Sequence, residues 1–318
     1  MPKSDYAIVF PGQGAQEIGM GRDFYEAFEV CRSVFEEADD ALGFRLSKII
    51  FEGPDDELVK TAFTQPAILT ASIAILRAVE HEWGRQTNPA FYAGHSLGEY
   101  TALAASGALT LGDAARLVHR RGALMQDAVP IGVGAMSAIM GLGMESVGPI
   151  CSEAAGSEVC DPANVNSPGQ IVISGTAAAV ARAGELAKAR GASRIIPLKV
   201  SAPFHCALMR PVADKLKEEF ESCEWHTPGA PIMANADASP KVSADDIHNA
   251  LYEQTYKPVL WADDVLAMKE RGVERFAEFG PGNVLSGLIK RTAKGAETIS
   301  VNKTADIAKA LEFLGGAR

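Results

Sequence analysis

An α/β fold with a parallel-sheet core and a small βαββαβ unit set into it is what this sequence predicts, on three observations. The chain opens with an apolar run, residues 6–10, that passes through a glycine turn into helical periodicity. A glycine-flanked serine at 94–98 stands between a short apolar run and a helix-compatible one, the pattern of a strand-turn-helix unit. Between residues 134 and 200 the period alternates between that of a strand and that of a helix in the order β, α, β, β, α, β. The length, 318 residues, exceeds what one core usually holds, so a large unit and a smaller one are expected.

Taken in order, residues 6–10 are a strand, 11–16 a glycine-rich turn and 23–38 a helical stretch. After an irregular segment, Gln65-Pro66 leads into an alanine-, isoleucine- and leucine-rich run, 67–79, that suits a buried helix with proline in its first turn. A short strand follows at 90–93. The middle unit has strands at 135–140, 158–164, 170–174 and 194–198 and helices at 144–155 and 177–189, a ferredoxin-like order. Because α/β patterning flanks it on both sides, residues 130–200 are expected to be a subdomain inserted into a large hydrolase-like domain formed by 1–129 and 201–318. Crossings near Val129 and Val200 and the linker glycines Gly132 and Gly134 fit that division. Beyond Pro203 come a helix at 207–221, a short strand at 231–234, helices flanking Pro258, a strand at 275–279 closed by Gly280-Pro281-Gly282, then helix, strand and helix.

Composition narrows the function. Acidic residues outnumber basic ones by ten, and a formal charge of −10 opposes general affinity for nucleic acid or anionic membranes. The opening MPKSDYAIVFPGQG has no long apolar core behind a basic stretch, and no run of about 18 uninterrupted apolar residues occurs, so a cytoplasmic protein is expected. The five cysteines are scattered without a C-x-x-C pair, which argues for buried or bystander thiols and against a metal site.

Gly94-His95-Ser96-Leu97-Gly98 matches G-x-S-x-G, a sharp turn whose glycines relieve crowding so that the serine oxygen stands exposed above a sheet. A serine hydroxyl needs a base, and among six histidines His205 has the special setting: it follows Ala202-Pro203-Phe204, where proline ends the preceding strand and puts the ring at a helix mouth. By position alone a structural histidine accounts for it equally well. His81, His119, His226 and His248 fall in polar stretches that read as solvated, and His95 should point away from Ser96. Gly12-Gln13-Gly14 lacks the lysine and spacing of a phosphate loop. A Gln13 amide on a tight turn, paired with the N–H of Leu97, suits an oxyanion hole, although an ordinary turn explains the residues at least as well.

Together PGQG (11–14), GHSLGEY (94–100), RG-x-LM (121–125), ANVNSPGQIVISG (163–175), SAPFH (201–205) and FGPG (279–282) resemble the malonyl-CoA:acyl-carrier-protein transacylase family, in the family's order and over almost the whole chain. The resemblance implies Ser96 as nucleophile, His205 as general base and acid, and Gln13 with the Leu97 N–H as oxyanion hole. It also implies Arg121 as the group that grips a malonyl carboxylate, a role suited to a planar guanidinium that makes two parallel hydrogen bonds. The adjacent Arg120 supports a plain solvated pair instead. The residues show no distinctive acid between Ser96 and His205, so a dyad is expected. By resemblance the backbone carbonyl near Gln254 holds the histidine tautomer, and Asn164 lies near the acyl site, with His95 and Phe204 beside it; Asn164 and Asn166 read equally as turn residues. One departure is visible: Leu260 precedes Trp261 where the family often has arginine.

The activity implied is transfer of a malonyl group from malonyl-CoA to the phosphopantetheine thiol of acyl carrier protein in fatty acid biosynthesis, by a monomer without metal or organic cofactor. An acidic carrier would need a local basic patch, with Lys188, Arg190 or Lys199 as candidates. A polyketide-synthase acyltransferase, a serine thioesterase and a non-catalytic docking protein are the competing readings.

Overall fold

A computed structural model of the protein describes residues 4–130, 132–200 and 202–315. Among the described residues ten strands form two sheets. The first is built from β1 (Tyr6–Phe10), β2 (Phe91–Gly94), β7 (Ile232–Ala234), β8 (Ser239–Lys241), β9 (Arg275–Phe279) and β10 (Glu297–Val301), in the order β10-β9-β1-β2-β7-β8. All neighbours are parallel except β7 and β8. The second holds β3 (Gly134–Met140), β4 (Cys160–Ser167), β5 (Gln170–Thr176) and β6 (Arg194–Pro197), antiparallel throughout in the order β4-β5-β3-β6. With the helices Met144–Ala155 and Ala177–Ala189 between its strands, this is the ferredoxin-like arrangement that the periodicity of 134–200 predicts.

The parallel sheet is covered on both faces, as such sheets are, because every crossover lays a helix against it. In β1, Tyr6, Ile8 and Phe10 join one apolar cluster, whereas Ala7 and Val9 join the other. The larger cluster packs under the helices Thr61–Trp83, Leu97–Ala105 and Leu111–Asp127. The smaller lies under Trp261–Glu270 and Val284–Thr292. The antiparallel sheet likewise has two faces: Ile139, Ile171 and Ile173 pack on its own helices, while Met136, Ala138 and Val172 turn to the main core. A parallel bridge from Asn164 to Val259 ties that sheet to the segment behind the site.

The helix Thr61–Trp83 starts earlier than predicted, so Pro66 lies inside it. Proline cannot donate to the carbonyl four residues back. The His119 ring supplies the missing partner, its Nδ1 standing 2.8 Å from the Ala62 oxygen. His119 therefore packs between Phe44 and Phe63, and His248 against Phe220 and Trp225, which corrects the solvated reading of both. By length and composition this helix could cross a bilayer, but 83% of its apolar stretch is buried inside the protein. The predicted helix at 23–38 is two, Arg22–Ala27 and Glu29–Leu42, because Phe28 adopts an extended conformation between them. The segment read as irregular before residue 61 contains the helices Leu46–Glu52 and Asp55–Leu58.

Candidate active site

Ser96 sits where β2 ends and the helix Leu97–Ala105 begins, with φ 54° and ψ −100°. A non-glycine residue in that region stores on the order of 1–3 kcal/mol and persists only where its surroundings hold it. The flanking glycines show why the motif needs them. A Cβ on Gly94 would lie 2.0 Å from the Gly98 carbonyl carbon, and one on Gly98 would lie 2.1 Å from the Phe10 oxygen. Only chains without side chains there can fold so tightly over β1.

His205 reaches the same point from 109 residues downstream, and its Nε2 stands 2.7 Å from Ser96 Oγ. The ring is buried, and its Nδ1 lies 2.7 Å from the backbone oxygen of Gln254, at the end of the helix Ala244–Tyr256. A carbonyl only accepts, so Nδ1 carries the proton and Nε2 is left free to accept from the serine. Burial, then the positive charge of Arg121, lowers the imidazole to about 3, against which the Gln254 carbonyl pulls upward. The ring is accordingly neutral at physiological pH, the state a base requires. Among the described residues no carboxylate contacts it, and the pair is a dyad. Ser201, at the head of the SAPFH motif, lies outside the described residues.

Arg121, on the helix Leu111–Asp127, is only 1% exposed. Next to it Gly122 lets this helix touch the start of Thr61–Trp83: a Cβ there would meet the Thr61 oxygen at 2.4 Å. The guanidinium donates to Gln65 Oε1 at 2.9 Å, to Gln254 Oε1 at 2.9 Å and to Ser96 Oγ at 3.1 Å. Among the described residues its Nε has no hydrogen-bond partner and no carboxylate stands within ion-pair distance of it. The buried cation is thus held by two amide oxygens, the Ser96 hydroxyl and the face of the Tyr100 ring. Arg120, by contrast, is exposed and paired with Glu219, so the two adjacent arginines have different employments.

A cavity of about 120 Å³ joins these groups, room for about four waters, and Gln13, Gln65, His95, Leu97, Met125, Met136, Asn164 and Phe204 share its wall. Gln13 is exposed at the rim, its amide 3.4 Å from Thr61 Oγ1. Leu97 opens its helix, so its N–H has no acceptor within the helix. Asn164 is buried on β4, and His95 turns its ring to Asn166, Nε2 to Oδ1 2.8 Å, and toward Trp261. Leu260 precedes the helix Trp261–Glu270 and is half-buried. Lys188 and Arg190 are paired with Glu185 and Glu153, so of the three basic candidates Lys199 is the one without an ion pair among the described residues.

The acyl transferase domain family matches residues 7–309. This chain belongs to the acyl transferase family. Among its relatives is the malonyl CoA-acyl carrier protein transacylase of Escherichia coli O157:H7, 47% identical over 98% of this acyl transferase and 100% of the relative. The solved malonyl CoA-acyl carrier protein transacylase of Coxiella burnetii superposes with a TM-score of 0.95 at 41% identity, over 99% of both chains. A second solved structure, of a type II PKS acyl-carrier protein in complex with its malonyl-transacylase, matches with a TM-score of 0.93 at 48% identity, over 97% of this chain and 99% of that one.

Sequence reasoning missed four residues of this acyl transferase's site. Gln65 entered it only as the neighbour of Pro66, yet it holds Arg121. Glu99 is 2% exposed and accepts from the Asn235 N–H and the Gln254 amide; burial raises it to about 7. Asn235 and Asp264 complete a polar layer beneath the serine, Asn235 Nδ2 donating to Asp264 Oδ2 at 2.8 Å. The available cue was a carboxylate in LGEYTALAA, an otherwise apolar helix.

Proposed function

We propose that this acyltransferase moves a malonyl group from malonyl-CoA to the phosphopantetheine thiol of acyl carrier protein through an ester on Ser96. The observation that carries the reading is the convergence on one hydroxyl. Ser96 Oγ lies 2.7 Å from an imidazole nitrogen that must be an acceptor and 3.1 Å from a buried guanidinium that has no ion-pair partner among the described residues.

In the first half-reaction the Ser96 proton passes to His205 Nε2 as Oγ attacks the thioester carbonyl. The oxyanion is taken by the Leu97 N–H and the Gln13 amide, both on the cavity wall. The C–S bond then breaks and the imidazolium returns its proton to the CoA sulfur. In the second half the carrier thiol gives its proton to His205, attacks the ester, and Ser96 leaves with that proton. The thioester is already activated, so no cofactor is called on. An acyl chain seated on Oγ extends along the wall that Arg121 lines, where a terminal carboxylate meets the unpaired guanidinium and acetyl offers nothing. Phe204 narrows the same cavity.

The reading includes a cytoplasmic enzyme unattached to membrane, consistent with the burial of its long apolar helix in the core. The relatives are named for transfer to acyl carrier protein, which favours fatty acid synthesis, while the neighbour solved with a type II PKS carrier keeps polyketide carriers as acceptors to be assayed. The test is malonyl transfer from malonyl-CoA to purified fatty-acid and polyketide carriers, with free malonate measured in parallel. Malonyl-carrier formation is expected. Rapid release of malonate with no carrier product would replace this reading with a thioesterase.

A further inference from the structure

Asn235 follows β7 and is fully buried, and each of its four polar atoms has a partner. Its side-chain Oδ1 accepts from the Ser96 N–H at 2.8 Å, and its Nδ2 donates to the Gly94 carbonyl at 2.9 Å and to Asp264 Oδ2 at 2.8 Å. Its backbone N–H donates to Glu99 Oε2 at 3.0 Å, and its backbone carbonyl accepts from Leu260 at 2.9 Å.

The first two bonds have a recognisable form. In a parallel ladder a residue donates to the carbonyl before its opposite number and accepts from the N–H after it. The Asn235 side chain does the same to His95, taking Gly94 on one side and Ser96 on the other. Backbone pairing of β2 with β7 is limited to Tyr92 and Ile232, so the ladder ends before the serine and the amide continues it. The amide cannot be reversed, because its oxygen would then face the Gly94 carbonyl, an acceptor, and its NH2 the Ser96 N–H, a donor. Gln254 reinforces the other flank, its Nε2 donating to the Ser96 carbonyl and to Glu99 Oε2, each at 2.9 Å.

Resting on the acyl-transfer reading above, we propose that Asn235 is the positioning residue of the reaction: its side-chain amide splices the nucleophile turn onto the sheet and holds Ser96 at its positive φ, with Oγ facing His205. Asp264 orients that amide through Nδ2, and Glu99 holds the Asn235 backbone N–H. Asn235 touches no reacting atom, so its loss slows the chemical step while leaving thioester binding in place.

The test measures the Ser96 acylation rate by rapid-quench intact mass over a range of malonyl-CoA concentrations, for the unaltered protein, Asn235→Ala and Asn235→Asp, each normalised to the folded fraction by circular dichroism. Asn235→Asp keeps the acceptor for the Ser96 N–H and loses the donor to Gly94. A displaced nucleophile predicts a saturating rate about 100-fold lower for Asn235→Ala with half-saturation little changed, and an intermediate rate for Asn235→Asp. A folded Asn235→Ala acylated at the unaltered rate overturns the proposal, as does a loss confined to half-saturation. Since alanine could compromise folding, amide hydrogen exchange of Ser96 in the unaltered protein decides independently: slow exchange is expected, and exchange at the rate of a free amide overturns the proposal. An unaltered protein that takes up no acyl group would instead sink the functional reading, and the exchange result would still stand by itself.

Discussion

Replacing Arg121 with alanine removes a guanidinium that has three partners in the free protein and, in the proposed reaction, the further task of holding the malonyl carboxylate. A hydrogen bond to a charged group contributes about 1.5–3 kcal/mol, and the proposed carboxylate clamp acts on malonyl and not on acetyl. The ratio of kcat/KM for malonyl-CoA over acetyl-CoA should therefore fall by roughly 10- to 150-fold, at 1.36 kcal/mol per factor of ten. The substitution also leaves Gln65 Oε1 and Gln254 Oε1 without a donor, an unmet acceptor costing about 1–3 kcal/mol where water does not replace it. Activity must accordingly be normalised to folded protein by a thermal melt. Arg121→Lys is the companion variant, since it keeps the charge and loses the fork; stability should partly return while the malonyl preference does not. The assay is CoA release with each thioester at matched carrier concentration. An unchanged malonyl-to-acetyl ratio in folded Arg121→Ala would refute the clamp, whatever happened to the absolute rates.

Arg120→Ala, one position away, should leave transfer unchanged in the same assay and cost about 0–1 kcal/mol in the melt, because it breaks only an exposed pair with Glu219. Gly98→Ala should destabilise by about 3 kcal/mol or more, since its Cβ meets backbone at Phe10 and nothing there can yield; denaturant unfolding reads the loss. The raised Glu99 carboxyl gives a pH signature with a definite sign. A group that holds its proton more tightly when folded adds stability below its unfolded value, near 4.5, and loses it as pH rises through about 7. Glu99→Gln should flatten the fall in stability between those values, measured by melts across the range, and a variant with the unaltered slope would contradict the assignment. His205 has the opposite sign: depressed to about 3, it costs stability as pH falls from its usual 6.5 toward that value. Acylation by neutral His205 should show no decline through pH 6.5.

What could be read beforehand was what is local. The strand-turn-helix around Ser96 is legible because both glycines lie within four residues of each other and their necessity is a matter of backbone crowding. The order of the antiparallel sheet was legible because each of its segments keeps a single period. The long-range polar partners were not. Asn235 meets Ser96 across 139 positions and Glu99 meets Asn235 across 136, and one amide or one acid leaves no periodic trace. Helix ends misled for a related reason: Pro66 acts on the backbone locally, but the Ala62 carbonyl that it leaves without a donor is met by a distant ring, that of His119. The histidines show the same divide, since His119 lies in a polar stretch and is nonetheless claimed by the Ala62 carbonyl and two phenylalanines.

The most direct measurement is intact mass and peptide mapping after brief mixing with malonyl-CoA, for the unaltered protein, Ser96→Ala and His205→Ala. The account predicts one malonyl group on the peptide carrying Ser96 in the unaltered protein, none in Ser96→Ala, and slow uptake in His205→Ala. A malonyl adduct in Ser96→Ala, or uptake by His205→Ala at the unaltered rate, would contradict it.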